Sequence, residues 1–332
     1  MKTLKTGVML LALLLAAMAM VPMGSADKDE MIMDSAQLAE ESQTMSVDVS
    51  KIPVSHLPFT EGVEKVKVIY ELTTESGKNL QTIPIGSIIS HSNDDITRVF
   101  DSKGIQQFYA ADNESVLIPT PSGKMLPATR VHPVPSGAFL KNVDNVTYVI
   151  HEGQVIFTVI NDRNVELSQP QEIADGMSTR VNSDFTGWIE DAFDNNVPQI
   201  GYFSAYWVVP THPPTSESQE ASFLFNAIQP SDGTAIIQPV LEWNQPSTGL
   251  YWTGAAWSVK NGVGYPSSRI NANDGETVRG QLVWRPSMGA WLITFTNSNG
   301  QSVTKYTSDI STDQNLATFV ALEGTKIDDN SD

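Results

Sequence analysis

The sequence predicts an all-β protein whose C-terminal part is an antiparallel β-sandwich. Short β-type runs recur from Val63 to Glu323, separated by Gly, Pro, Asn and Asp. Several of these runs alternate apolar and polar residues with the two-residue period of a strand packed on one face. Asn297-Ser298-Asn299-Gly300, between two such runs, is a hairpin signal.

In chain order, residues 1–26 read as a signal peptide. Lys2 and Lys5 precede an apolar run from Val8 to Met23, and Gly24-Ser25-Ala26 supplies small residues for cleavage. The run is short for a membrane span. Residues 27–50 are a polar, acidic leader without periodicity, the composition of a disordered segment. Residues 51–165 form a β-rich block, with runs at Val66–Leu72, Thr82–Ser90, Ser115–Pro119 and Val146–Ile160. Residues 166–185 read as a linker. The sandwich occupies 186–324, with strands expected at Tyr202–Val209, Ala221–Ala227, Ile236–Trp243, Tyr251–Val259, Thr277–Trp284, Trp291–Thr296, Gln301–Thr307 and Ala317–Glu323. Residues 325–332 are a charged tail. The number and spacing of these strands favour two packed antiparallel sheets.

The 332-residue chain carries a net charge of −18, and loss of the leader's two lysines makes it −20. That balance disfavours nucleic acid and anionic lipid as partners. The chain has no cysteine, so an exported protein of this size must rely on its core rather than on disulfides. Thiol nucleophiles and thiolate metal sites are excluded with it. The expected location is secreted or extracytoplasmic. No nucleic acid and no membrane, once the leader is removed, are expected as partners, and the chain is expected to be a monomer.

The most informative stretch is Ala235-Ile236-Ile237-Gln238-Pro239-Val240-Leu241-Glu242-Trp243. Ile237, Leu241 and Trp243 fall on one face of the strand. Gln238, Val240 and Glu242 fall on the other, which is expected to be open. Thr318-Phe319-Val320-Ala321-Leu322-Glu323 presents another carboxylate in the same way. The usual catalytic constellations fail: His212 alone represents histidine in the C-terminal block, and there is no Gly-x-Ser-x-Gly elbow, zinc-ligand spacing or phosphate loop. Carboxylate and amide chemistry remains. Glu323 could activate water, and the Gln238 amide could donate to a developing oxyanion. Pro239, which cannot donate a ladder bond, suits an edge strand or bulge.

The order of these motifs resembles the glutamic peptidases of the eqolisin family. Ile236-Ile237-Gln238 with Glu242-Trp243 is similar to the family's strand bearing the catalytic Gln. Phe319-Val320-Ala321-Leu322-Glu323 is similar to the late strand that ends on the catalytic Glu. Trp207-Val208-Val209-Pro210, Ile270 to Val278 and Asn297 to Val303 resemble intervening family segments. The likeness covers residues 186–324. It implies a concanavalin-like sandwich with its site on the concave face, Glu323 as general base and then acid, and Gln238 as oxyanion donor sharing one water with it. It also implies an acidic working pH, a protein or peptide substrate, no metal or cofactor, and a removable N-terminal propeptide. Substrate-binding positions are expected at Trp188, Phe223, Glu242, Trp252 and Trp257. The chain departs from the family at Phe223 to Ile228, at Trp257-Ser258-Val259-Lys260 and at Val240. Two other readings compete with this one: a non-catalytic concanavalin-like module binding glycan or peptide in its groove, and a glycosidase using Glu242 and Glu323 as its carboxylate pair.

Overall fold

A computed structural model describes residues 62–69, 77–163, 185–212, 220–246, 248–312 and 314–327. The expected signal peptide and acidic leader, the linker before Phe185 and the end of the tail lie outside these residues. The N-terminal block supplies β1 (Glu64–Lys65), β2 (Lys67–Val68), β3 (Gly77–Lys78), β4 (Ser87–His91), β5 (Ile96–Phe100), β6 (Gln106–Ala111), β7 (Leu117–Thr120), β8 (Lys124–Pro127), β9 (Ala138–Val143), β10 (Val146–His151) and β11 (Gln154–Asn161). The C-terminal block supplies β12 (Phe185–Val197), β13 (Tyr202–Val208), β14 (Ala221–Pro230), β15 (Ala235–Trp243), β16 (Trp252–Lys260), β17 (Val263–Pro266), β18 (Ile270–Asn271), β19 (Thr277–Arg285), β20 (Ala290–Thr296), β21 (Ser302–Thr307) and β22 (Leu316–Ile327).

The fold is all-β and sandwich-like. The expected single run Val146–Ile160 is two strands. Glu152 and Gly153 both take positive φ, 50° and 73°, and make the tight turn between β10 and β11. Strands β5, β6 and β9 were not expected; charged or amide residues such as Arg98, Gln106 and Lys141 interrupt their apolar pattern.

The longer sheet runs β1-β6-β5-β4-β11-β10-β9-β21-β20-β19-β13. Its two halves join where β9 pairs in parallel with β21, placing Ala138 beside Lys305 and Leu140 beside Thr307. The N-terminal strands thus extend a sheet of the sandwich. The second sheet runs β12-β22-β14-β15-β16-β17, with β18 also paired to β16.

Both faces of the second sheet are covered. Leu241, Trp243 and Trp252 share one apolar cluster with Trp207, Val278 and Phe295 from the C-terminal strands of the long sheet. Phe223, Phe225, Val240 and Trp257, on the opposite face, share another with Ile89, Val99, Ile118, Leu126 and Val159 of the N-terminal block. The chain crosses from one side to the other along the β17 edge. His132 N–H donates to the Gly264 carbonyl at 2.8 Å and Val134 N–H to the Pro266 carbonyl at 2.8 Å, so this edge is not left open. Between the sheets, close approach depends on two glycines. A Cβ at Gly254 would lie 1.8 Å from the Phe295 ring, and one at Gly280 would lie 2.5 Å from Asn226 and Trp207.

A buried polar chain anchors the crossing segment. Thr97 Oγ1 donates to Asp112 Oδ1 at 2.8 Å, and therefore accepts from His91 Nδ1 at 2.9 Å. That leaves His91 Nε2 to accept from His132 Nε2 at 2.9 Å. Both imidazoles are neutral in this arrangement. His132 packs against Phe157 and Tyr265, so it touches both blocks. Arg130 and Arg163 hold the other Asp112 oxygen at 2.6 and 3.3 Å, and both also pair with Asp95. Burial, aided by Arg130 and Arg163, pushes His91 down to about 3. Burial, with His91 beside it, also holds His132 well below the ordinary histidine value.

Gly254→Ala is expected to lower stability by about 1–3 kcal/mol, the scale of overpacking, read as a lower urea midpoint. The histidines should impose a pH dependence. The unfolded chain takes up their protons below about 6.5, whereas folded His91 resists until about 3. Their contribution is fully present above pH 6.5 and is lost as pH falls through that window, by a few kcal/mol. Urea midpoints followed by tryptophan fluorescence should fall from pH 7 to pH 4 in the wild type. The slope should be shallower in His91→Gln/His132→Gln, and an unchanged slope would contradict the assignment.

Candidate active site

Strand β15 lies inside the second sheet, between β14 and β16. Its side chains divide as expected, with Gln238, Val240 and Glu242 on one face. That face is not open, however. Every residue of β15 is buried, because the N-terminal block covers the face that the sequence left to solvent. Pro239 is likewise inside the sheet rather than at its edge. The β14–β15 ladder lapses between Phe225–Val240 and Ile228–Ile237, opposite the proline that has no N–H to give. Ala256, the partner of Pro239 on β16, bonds instead to Ser267 on its other side.

The sheet register sets the site. Trp188, Glu323, Phe223, Glu242 and Thr253 are successive partners across β12, β22, β14, β15 and β16. One row of one face therefore carries both carboxylates, with Phe223 between them. Glu242, Glu323, Phe223 and Gln238 are all fully buried. Gln238 stands four residues along β15, opposite Trp257. Strand geometry puts Gln238 about 13 Å along and about 10 Å across from Glu323, or about 16 Å between Cα atoms. That span exceeds the expected single shared water.

Trp252 is not part of this face. It packs with Trp243 in the inter-sheet cluster and lines a separate cleft of about 280 Å³ with His212, Tyr251 and Asp274. His212 Nδ1 lies 2.7 Å from Asp274 Oδ2 there. Trp257 is on the expected face, and its indole N–H donates to Glu242 Oε1. Trp188 meets Glu323 through the β12–β22 pairing; its side chain lies outside the description.

Sequence reasoning missed two partners of the site. Arg269 donates from Nε to Glu242 Oε2 at 2.7 Å, and it lines a cleft of about 590 Å³ with Ile83, Pro133 and His151. Glu242 thereby has a cation on one oxygen and an indole on the other. The other missed partner is Pro121, whose carbonyl accepts from Gln238 Nε2. Neither contact has a local sequence signature, since 27 and 117 residues separate the partners. Among the described residues no cluster of His, Asp and Glu is arranged to hold a metal ion.

No protein-family profile matches the chain, and no curated protein does. Among solved structures it is similar to Scytalido-glutamic peptidase with a peptide-based transition-state analog. The identity is 21%, the TM-score 0.31, and the match covers 40% of this chain and 62% of that one. It is also similar to SCP-B, a member of the eqolisin family of peptidases, in complex with the tripeptide Ala-Ile-His, at 23% identity and a TM-score of 0.30, covering 40% and 61%. Galectin-Ib of Xenopus laevis matches at 14% identity and a TM-score of 0.26, covering 41% and 95%. The chain thus spans about three-fifths of the length of the two peptidases.

Arg269→Met is expected to leave Glu242 buried without its cation and to lower stability by about 3–5 kcal/mol, measured by urea denaturation. Adding Glu242→Leu should recover much of that loss, because the uncompensated charge is then gone.

Proposed function

We propose that the chain is a glutamic-type endopeptidase, secreted and active at acidic pH. One observation carries the reading: the Gln238 amide already donates to a peptide carbonyl, on the sheet face that also bears Glu323. An amide so placed is the group needed where negative charge gathers on a carbonyl oxygen during water attack. In the proposed reaction Glu323, as carboxylate, takes a proton from water as the water adds to the carbonyl carbon. It then returns that proton to the leaving amine as the C–N bond breaks. Phe223 and Trp257 line the face beside the reacting groups. Glu242 is held by Arg269 and Trp257. The substrate is an unfolded protein or peptide, and the chain's own groups suffice for each proton transfer.

The purified chain would be incubated with casein from pH 2 to 7. Cleavage is expected at acid pH. Glu323→Gln should lower it by about 10²–10⁴-fold, and Gln238→Ala by about 10²–10³-fold. Equal activity in wild type and Glu323→Gln would rule the mechanism out.

A further inference from the structure

We infer that the hairpin β7–β8 is a built-in plug that fills the substrate groove, with the Pro121 carbonyl seated where a substrate's scissile carbonyl would be held. This rests on the peptidase reading for the groove's purpose, while the occlusion itself stands on geometry. The hairpin turns through Pro121-Ser122-Gly123, with Gly123 at φ 73° as a three-residue turn requires. Thr120 stiffens the turn: its hydroxyl donates to the Lys124 carbonyl at 2.7 Å and contacts Ser122 Oγ at 2.9 Å. Ile118 and Leu126, on the hairpin's two strands, join the same apolar cluster as Phe223 and Trp257. The tip reaches Gln238, whose amide donates to the Pro121 carbonyl.

The covered face is also poorly matched to its cover. Gln238 Oε1, Thr253 Oγ1 and Thr325 Oγ1 point from this face, are buried, and have no hydrogen-bond partner among the described residues. Thr253 and Glu242 are direct partners, and Thr325 follows Glu323 by two residues on β22, so these groups flank the carboxylate row. Buried polar atoms without partners cost free energy. An extended peptide brings N–H and C=O groups at strand spacing and would satisfy them. The hairpin supplies the Pro121 carbonyl to Gln238 and apolar contact from Ile118 and Leu126.

The hairpin should therefore exclude a peptide from the groove. The test uses the full chain, the double variant Ile118→Asp/Leu126→Asp, and Pro121→Arg, which evicts the tip without altering the hairpin's apolar contacts. Circular dichroism would verify that each is folded. The probe is a fluorescent, backbone-cyclised peptide of sequence Leu117–Pro127, with binding read by anisotropy. Where the plugged form outweighs the open one by about 100 to 1, wild type binds the probe about 100-fold more weakly than the opened variants. Adding Gln238→Ala to an opened variant should weaken binding again. Equal binding by wild type and the folded variants, or no binding by any of them, overturns the plug. Tight binding by the opened variants without casein cleavage at any pH leaves the plug standing and removes the peptidase reading.

Discussion

A carboxylate with no exposed surface must be paired, and the covered face of the second sheet depends on how Glu242 meets that demand. Its two oxygens are taken by the Arg269 guanidinium and the Trp257 indole, each a donor and one of them charged. The pair holds β15, β16 and the segment beyond β17 in one arrangement. Trp257 is the cross-strand partner of Gln238, so the group that fixes Glu242 also fills the space beside the proposed oxyanion donor. Without the Arg269 cation, an apolar cover over this row would cost far more than its burial returns.

The same face explains the unusual length of the other sheet. A sandwich of two sheets leaves each with one outer face, and an antiparallel sheet commonly turns that face to water. Here the N-terminal strands continue the partner sheet beyond β21 and reach the outer face of the second sheet. The crossing is narrow. It runs along β17 through residues 131–134 and is anchored by two neutral histidines that face Asp112, Arg130, Arg163 and Tyr265. A cover hung on such a seam is tied to acidity, because below about pH 6.5 each imidazole stays neutral only while buried. The acidic pH proposed for the reaction is also the pH at which this seam is weakest.

Much of the C-terminal sandwich was legible in sequence. Strands β13 to β16 and β19 to β22 follow from alternation and turn residues, and the Asn297–Gly300 turn sits where its composition placed it. Alternation along β15 also sorted its side chains correctly, Gln238 and Glu242 to one face and Leu241 and Trp243 to the other. The reading failed where solvent had to be inferred. Trp252 pairs with Trp243, and its side chain therefore follows that residue into the inter-sheet core. Pro239 suggested an edge, yet it is tolerated inside the sheet because the neighbouring ladder lapses at that point.

By itself, the sequence determined the strand class, the face each side chain takes and the chemistry on offer: amide and carboxylate, with no thiol. These are local properties, set by a two-residue period and by side-chain type. Only the tertiary structure decided what lies on top of that face, that Arg269 and Trp257 neutralise Glu242, that Glu323 shares its row, and that Pro121 meets Gln238. Those facts depend on sheet register and on contacts between residues far apart in the chain. A periodic pattern distinguishes one face from the other but carries no record of which distant segment will cover it.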